Sequence, residues 1–375
     1  MSRPTIKPYG AWESPISAHD VAAGGIRIGQ VAMDGHDVYW VEGRPSEGGR
    51  NVVVRSTGHG AEDVTPPPFN ARTRVHEYGG GAFTVERGTV FFSHDGDGRL
   101  YRQETGGPPQ PITPEDQRRY ADLTADRRRE RLICVQEDHR GEGEPENTLV
   151  AVPLGGGEPE QLFSGTDFVS SPRLSPDGTC LAWLSWNHPN MPWDGCDLWL
   201  AGIAADGRLE EPDHVVGGTD ESIFQPAWSP DGLLHFVSDR TGWWNLYRWR
   251  NGTVEPLFQR EAEFGLPQWV FGKSTYGFVG ADRIACTGFE QGAWRLWLLD
   301  TASGGAEPIP LPCTEISDIQ AHDGVATFTA GSPVQRVDVV RLDVHRRETQ
   351  VLSGDGGKIA PAAIAKPEAI TFPTG

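Results

Sequence analysis

The tetrapeptide Ser-Pro-Asp-Gly occurs twice, at 175–178 and 229–232, each time between runs that alternate apolar and polar side chains. An Asp-Gly pair supplies the positive-φ residue that a tight hairpin needs. Both sites therefore read as turns between antiparallel strands, and their surroundings repeat as well. SPRLSPDGTCLAWLSW, CDLWLAGI and DHVVGG form one unit within 171–218; QPAWSPDGLLHFVSD, WNLYRWR and VEPLF form the next within 224–258. Each runs strand, turn, apolar strand, polar loop, aromatic-rich strand, closing strand. GQVAMDGHDVYWVEG, GGAFTVERGTVFFSHD, RYADLTADRRRERLICVQEDH, YGFVGADRIACTGFE and ISDIQAHDGVATFTAG open fainter copies, giving seven units. Four short strands in roughly 40–50 residues is the size of a β-propeller blade, and radially packed blades leave only short, protected edges. The sequence thus predicts an all-β fold, a seven-bladed β-propeller over 26–354 with four-stranded antiparallel blades.

Two segments fall outside the repeat. Residues 1–25 are expected to hold one short helix, over 17–23, where Ser17 can cap ISAHDVAAG ahead of a glycine pair. Residues 355–375 read as a linker, with an Ala/Pro-rich stretch at 358–367. Strand alternation in NLYRWR predicts Leu246, Tyr247 and Trp249 packed between blades and Arg248 and Arg250 facing out. Most of the 13 Trp are then expected in the inter-blade core.

A balance of 33 Lys+Arg against 52 Asp+Glu, a net charge of −19, argues against nucleic-acid and anionic-membrane partners, which need clustered basic residues. The densest basic run, Arg127 to Arg129 with Arg131, is flanked by Asp126 and Glu130 and reads as a solvated turn. No run approaches the ~18–20 apolar residues of a membrane span, and the start, MSRPTIKPYGAWESP, lacks the charged and apolar regions of a secretion signal. A soluble cytoplasmic protein is the expectation. The five cysteines are scattered without a CxxC pair, so they read as reduced, with neither a disulfide framework nor a zinc site.

The motifs of several chemistries are missing. G-x-S-x-G, which exposes a serine nucleophile on a strained elbow, does not occur, nor do HExxH or GxxxxGK[ST]. GKSTYG around Ser274 precedes a strand and reads as a structural turn. Gly79, Gly80 and Gly81 precede neither a helix start nor a lysine, and read as a close-packed bend at the blade axis. SHDGDG, with Asp95 and Asp97, lacks the distal Glu of a calcium loop and reads as a hairpin. No metal or cofactor is expected.

His76, Glu77 and Tyr78 stand immediately before those glycines, on a strand expected to line the central tunnel. A carboxylate buried there requires a partner, either Arg72 or Arg74 or the amine of a ligand. SWNHPNMPWDG, 185–195, is an unusually long inter-strand loop with two Trp. Such loops are often functional, and capping of the blade is the other reading. Trp243 and Trp244 occupy the equivalent loop of the next unit, one expected in the core and the other at the surface.

Four strings carry a resemblance: RTRVHEYGGGAF at 72–83, SSPRLSPDGTCLAWLSWNHPNMPWDG at 170–195, ESIFQPAWSPDGLLHFVSDRTGWWNLYRW at 221–249 and FGLPQWVFGKSTYGF at 264–278. They look like the N-terminal propeller of prolyl-oligopeptidase-family (S9) serine peptidases, in the branch of dipeptidyl aminopeptidases, acylaminoacyl-peptidase-like enzymes and puromycin hydrolase. The likeness runs from WESPIS to PEAITFPTG. It implies a propeller followed by an α/β-hydrolase domain bearing Ser, Asp and His in that order, and first and last blades that meet without a shared strand. This chain stops about where that domain would begin, and AITF resembles the strand leading into it. On this reading the hydrolase domain is absent and none of the catalytic residues is present.

The resemblance implies a non-catalytic domain, inactive alone, that limits access and holds the substrate's N-terminal part. The enzyme would be a cytoplasmic exopeptidase acting on short peptides or aminoacyl and acyl-aminoacyl substrates. Glu77 is implied as the anchor of an α-amino group, with Trp193, Trp243 and Gln268 bordering the substrate cavity. The expected partner is the hydrolase domain, in cis or as a separate chain. A stand-alone propeller serving as a protein-binding scaffold is the alternative. An apolar patch on the docking face distinguishes the two.

Overall fold

The structure is a computed structural model that describes residues 6–14, 16–19, 25–58, 60–354, 364–368 and 370–373. Among them, 28 strands form seven separate four-stranded sheets, each made of consecutive strands paired antiparallel with their neighbours. These are the blades: blade 1 spans 27–63, blade 2 83–111, blade 3 118–163, blade 4 168–217, blade 5 223–258, blade 6 276–309 and blade 7 315–351. The helix expected over 17–23 falls largely on residues 20–24, and much of the linker expected over 355–375 falls on 355–363; both stretches lie outside the described residues. Among the described residues no helix is long and apolar enough to cross a membrane.

Each blade is a twisted sheet with two apolar faces, so it must bury both. It does so against its two neighbours, and the core is accordingly divided into seven inter-blade clusters. Alternate residues of a single strand serve different neighbours: Leu246 packs toward blade 6 while Tyr247 packs toward blade 4. Trp249 joins the cluster with blade 4, Arg250 is exposed, and Arg248 is half-buried with its guanidinium on Glu255 at 2.7 Å. Nine of the 13 Trp lie in these clusters. The seventh cluster sets Val31, Trp40, Val52 and Val54 of blade 1 against Val339 of blade 7. Among the described residues the ring therefore closes by side-chain packing, with no strand shared between first and last blades.

The Ser-Pro-Asp-Gly turns show why that sequence recurs. Asp177 accepts from the Ser175 hydroxyl at 2.7 Å and from the Thr179 amide at 3.1 Å, while Gly178 takes φ +68°. Ser229, Asp231 and Gly232 repeat the arrangement. SHDGDG is likewise a hairpin, with Asp97 accepting from the Tyr101 hydroxyl at 2.6 Å. The basic run 127–129 is a single 3-10 turn, but it is not merely solvated. Arg131 and Arg129 reach the fully buried Asp126 at 2.9 and 3.2 Å, because a buried carboxylate requires cations around it. All five cysteines are free, and Cys134, Cys196 and Cys286 are buried.

The first strands of the blades touch one another and form the inner ring. In blades 3, 4, 5 and 7 each carries a bulge at a left-handed residue, Asp122, Ser171, Gln225 and Asp318 respectively. A bulge bends the strand and re-aims its side chain. Here the aim is sideways, toward a neighbouring blade: Asp122 accepts from the Ser171 amide at 2.8 Å and Gln225 from the Thr275 amide at 2.6 Å, while Asp318 reaches back to hold Lys273, at the entry to blade 6, at 3.0 Å. Gln30 adds the link from blade 1 to blade 2 by donating to Phe83 O at 2.7 Å. A polar belt thus ties the blades around the axis.

Four antiparallel strands per blade return the chain to the face from which it set out. One face therefore carries the starts of all the inner strands, the loops between second and third strands, and both ends of the ring, near residues 26 and 351. The Ser-Pro-Asp-Gly turns lie on the opposite face.

Candidate functional site

The axis on that first face is crossed by a strap, residues 72–81. Gly80, which leads into blade 2, pairs in parallel with Phe271, which leads into blade 6, and the Phe271 amide donates to Gly79 O at 2.9 Å. The Asp122 amide donates to Gly81 O at 2.9 Å, and the His76 amide donates to Glu137 Oε1 at 3.0 Å, fixing the strap to blade 3. The His76 ring is wedged among Phe168, Trp186 and Phe271, with centroids 4.7 to 5.6 Å away. The three glycines are there for close approach. A Cβ on Gly80 would stand 2.4 Å from Phe271 O, and one on Gly79 2.1 Å from Thr73 O. His76 and Glu77 themselves adopt φ +53° and +66°, a conformation that costs energy outside glycine and clusters at functional sites.

On one side of the strap lies a cavity of about 560 Å³. Phe168, Trp186, Trp269 and Phe271 give it an aromatic wall, and Met191 and Pro192 of the long 185–195 loop complete it. Its polar lining is acidic: Glu77, Glu137, Glu144, Glu146 and Asp167. Glu137 is buried and satisfied by the strap amide, by His139 Nε2 at 2.7 Å and by Arg119 at 3.4 Å. Asp167 accepts from the His188 amide and lies 3.0 Å from its imidazole; these contacts hold its carboxyl below the usual range. Glu77, Glu144 and Glu146 are exposed at the rim and form no ion pair with any described residue. Arg72 and Arg74, also exposed, do not pair with Glu77, so its carboxylate is neither buried nor internally neutralised. Burial pushes the His76 imidazole down to about 4, leaving a neutral ring in the wall. Among the described residues no group of three His, Cys, Asp or Glu side chains is placed to hold a metal ion.

On the other side of the strap is a second cavity, of about 410 Å³, lined by Arg27, Arg72, Lys273, Asn51, Gln30 and Asp318. Tyr78, Val270 and Phe271 line both, so the two are neighbours divided by the strap.

The residues singled out in the sequence separate here. Glu77 and Gln268 line the acidic cavity. Trp193 packs at a tilt against Trp269 with centroids 4.4 Å apart, and Trp269 in turn meets Tyr78 at 5.3 Å, so Trp193 buttresses the mouth. Trp243 lines neither cavity; it is exposed in the loop between the second and third strands of blade 5, while Trp244 packs into the core between blades 5 and 6. Glu137, Asn147, Asp167 and Trp269 escaped sequence reasoning. Only Trp269 had a signal, its place beside Gln268 in one of the four strings.

The face that carries both cavities is also the sticky one. Outside the terminal segments, the large apolar side chains most exposed among the described residues are Ile26, Tyr78, Met191, Trp243, Trp269, Phe289 and Val351. Ile26 precedes the first inner strand, Tyr78 and Trp269 lie on the segments leading into blades 2 and 6, Met191 and Trp243 lie in loops between second and third strands, Phe289 lies near the end of the second strand of blade 6, and Val351 ends blade 7.

No family model and no curated protein matches the chain. Solved structures do. Puromycin hydrolase matches with a TM-score of 0.92 and 35% identity over 97% of this chain and 59% of its own. A Mycobacterium tuberculosis puromycin-hydrolyzing peptidase matches with a TM-score of 0.86 and 35% identity over 93% of this chain and 56% of its own. Prolyl oligopeptidase B from Galerina marginata, at 11% identity and a TM-score of 0.68, shares the fold. Fold and identity together define the class: the chain matches the propeller portion of the prolyl-oligopeptidase (S9) family of serine peptidases. Within that family its likeness is to puromycin hydrolase, of whose length it spans 59%.

Proposed function

We propose that this propeller is the substrate-selecting, access-limiting part of a cytoplasmic serine exopeptidase, and that it works with an α/β-hydrolase domain seated on the face that carries the cavities. Residues 1–25 and 355–375 would be the connecting segments. The observation that carries the reading is the cavity itself: an aromatic wall with unpaired carboxylates at its rim, on the face where both ends of the ring emerge. With a hydrolase domain seated over this face the rim is withdrawn from bulk water, and there a carboxylate attracts an ammonium more strongly than in open solvent, and aromatic faces add attraction for a cation. The α-ammonium of a peptide or aminoacyl amide, with Glu77 as its anchor, meets both demands. Gln268 and the Trp193–Trp269 pair border the first side chain. The left-handed strap and its glycines support the same reading, because they fill the axis and leave the hydrolase-facing side as the way in.

The chemistry belongs elsewhere. The 375 residues contain no G-x-S-x-G, so nucleophile, base and oxyanion hole are expected from the partner domain, in cis or as a separate chain. A self-sufficient binding scaffold is the weaker reading, because it would leave Trp269, Trp243 and Phe289 in water on one face.

The test is reconstitution. The chain alone is expected to hydrolyse neither aminoacyl nor acyl-aminoacyl amides, and an added hydrolase domain is expected to confer activity. With that domain present, Glu77→Gln should raise KM for a free-amine substrate roughly tenfold to a hundredfold, the worth of one hydrogen bond to a charged group. Hydrolysis by the pure chain, lost on mutating one of its own residues, would overturn the assignment.

A further inference from the structure

The second cavity is unlike the rest of this acidic chain. Most arginines that face a cavity or the core here are matched by carboxylates: Arg44 by Glu42 and Asp63, Arg118 by Asp116, Arg131 by Asp126, Arg173 by Asp122. Arg27 and Arg72 are not. Both line the 410 Å³ cavity, both are exposed, and neither forms an ion pair with any described residue. The one carboxylate in the lining, Asp318, is engaged by Lys273 at 3.0 Å. Two guanidinium groups are thus left facing the same space without a counter-charge, in a chain of net charge −19. Asn51 stands beside them in the lining, and the Arg27 guanidinium lies beside Gly43 on the second strand of blade 1.

The neighbour of this cationic cavity is the acidic one, with only the strap between. A ligand that satisfies both must carry a positive group and a negative group a short distance apart. We propose that the Arg27–Arg72 cavity takes the C-terminal carboxylate of a short peptide whose α-ammonium lies across the strap in the acidic cavity, so that the pair of cavities selects short peptides free at both ends. The second half of this statement rests on the reading of the acidic cavity given above; the carboxylate site stands on its own residues. Planar guanidinium forks match a carboxylate with two parallel hydrogen bonds, which is why two free arginines favour this anion. A chain of two to four residues spans roughly 7–14 Å when extended, a suitable reach for two cavities that share Tyr78, Val270 and Phe271.

The experiment titrates the full 375-residue chain with phenylalanyl-glycyl-glycine, its C-terminal amide and its Nα-acetyl form, by calorimetry. The free tripeptide is expected to bind at least tenfold more tightly than the amide. Arg27→Ala with Arg72→Ala should abolish that preference while the loss caused by acetylation persists, and Glu77→Gln should do the reverse. Arg27→Lys with Arg72→Lys keeps the charge without the fork and should restore only part of the preference. Both side chains are exposed, so these variants are expected to keep the wild-type circular dichroism. Equal binding of acid and amide overturns the carboxylate site even if acetylation still weakens binding. An acid preference that persists while acetylation has no effect keeps the carboxylate site and removes the ammonium reading. Displacement of the acetylated acid by an equal concentration of inorganic phosphate, or no binding of the free tripeptide at millimolar concentration, also overturns the proposal.

Discussion

His235 is buried and the His76 ring is enclosed by aromatic neighbours, and neither ring meets a carboxylate. His76 is enclosed by Phe168, Trp186 and Phe271, its Nε2 buried without a hydrogen bond and the Asn147 side chain beside it. His235, on the second strand of blade 5, has Nδ1 3.0 Å from Leu233 O and Arg248 in its neighbourhood. Loss of water pushes both imidazoles down to about 4. An unfolded histidine titrates near 6.5. Between these values the unfolded chain binds the extra protons, so stability rises with pH across the window and is lost as pH falls from about 6.5 to about 4. Each ring contributes on the order of a few kcal/mol to that slope. Asp63 and Asp138, held low by Arg44 and Arg140, act only below the window, and Asp239, raised by burial, opposes it only near the carboxylate range. The urea midpoint is therefore expected to fall steadily from pH 7 to pH 5, and His235→Gln should flatten the slope. A midpoint that does not move over that range would contradict the burial of both rings as neutral species.

The strap is an element held by backbone approach, which gives its glycines unequal weights. Gly80 sits at φ +88° with Phe271 O and N within 2.7 Å of any added Cβ, whereas Gly35, at φ +61° in the first turn of blade 1, has nothing within 4 Å. Alanine at Gly35 meets only the left-handed penalty, about 1 kcal/mol. Alanine at Gly80 must in addition part the strap from blade 6. Gly80→Ala is expected to lower the melting temperature by several degrees more than Gly35→Ala and to remove peptide binding, while Gly35→Ala leaves binding intact. Equal effects would mean the strap is not held where the structure places it. This element also marks the limit of what sequence reveals. Blades are legible because Asp-Gly turns and alternating strands are local signals, and the bend at the three glycines is legible because no other residue tolerates it. That the bend lies against Phe271, from a blade four further along the chain, has no periodic signature. Glu137, Glu144 and Glu146 likewise look like ordinary polar residues around a loop, and only the curvature of the ring turns them inward. Glu77 shows the reverse case: the motif located it, but it is exposed on the rim rather than buried, and of the partners expected for it, Arg72 or Arg74 or a ligand amine, neither arginine pairs with it.

At the scale of the molecule, the division of labour between the two faces follows from strand parity. An even number of strands in every blade returns the chain to one face, so the ring's ends, its longest loops and its two cavities share that face, while the opposite face holds short, self-satisfied turns such as 175–178. Closure by packing between blades 7 and 1 lets the ring be complete without any strand from outside it. What the ring cannot complete is the cover over Trp243, Trp269, Phe289 and Val351. Apolar surface of this kind is driven from water at roughly 25 cal/mol per Å², so a chain lacking a partner domain is expected to use a second copy of itself as the cover. Sedimentation velocity should show concentration-dependent self-association of the isolated chain at micromolar levels. Trp243→Ser with Phe289→Ser, two positions outside both cavities, should return it to monomer with an unchanged circular dichroism spectrum, and supply of the hydrolase domain should likewise disperse the unmodified chain's self-association. A wild-type chain that stays monomeric at every concentration would show that this face is stable in water, and would shift the balance toward a propeller that functions alone.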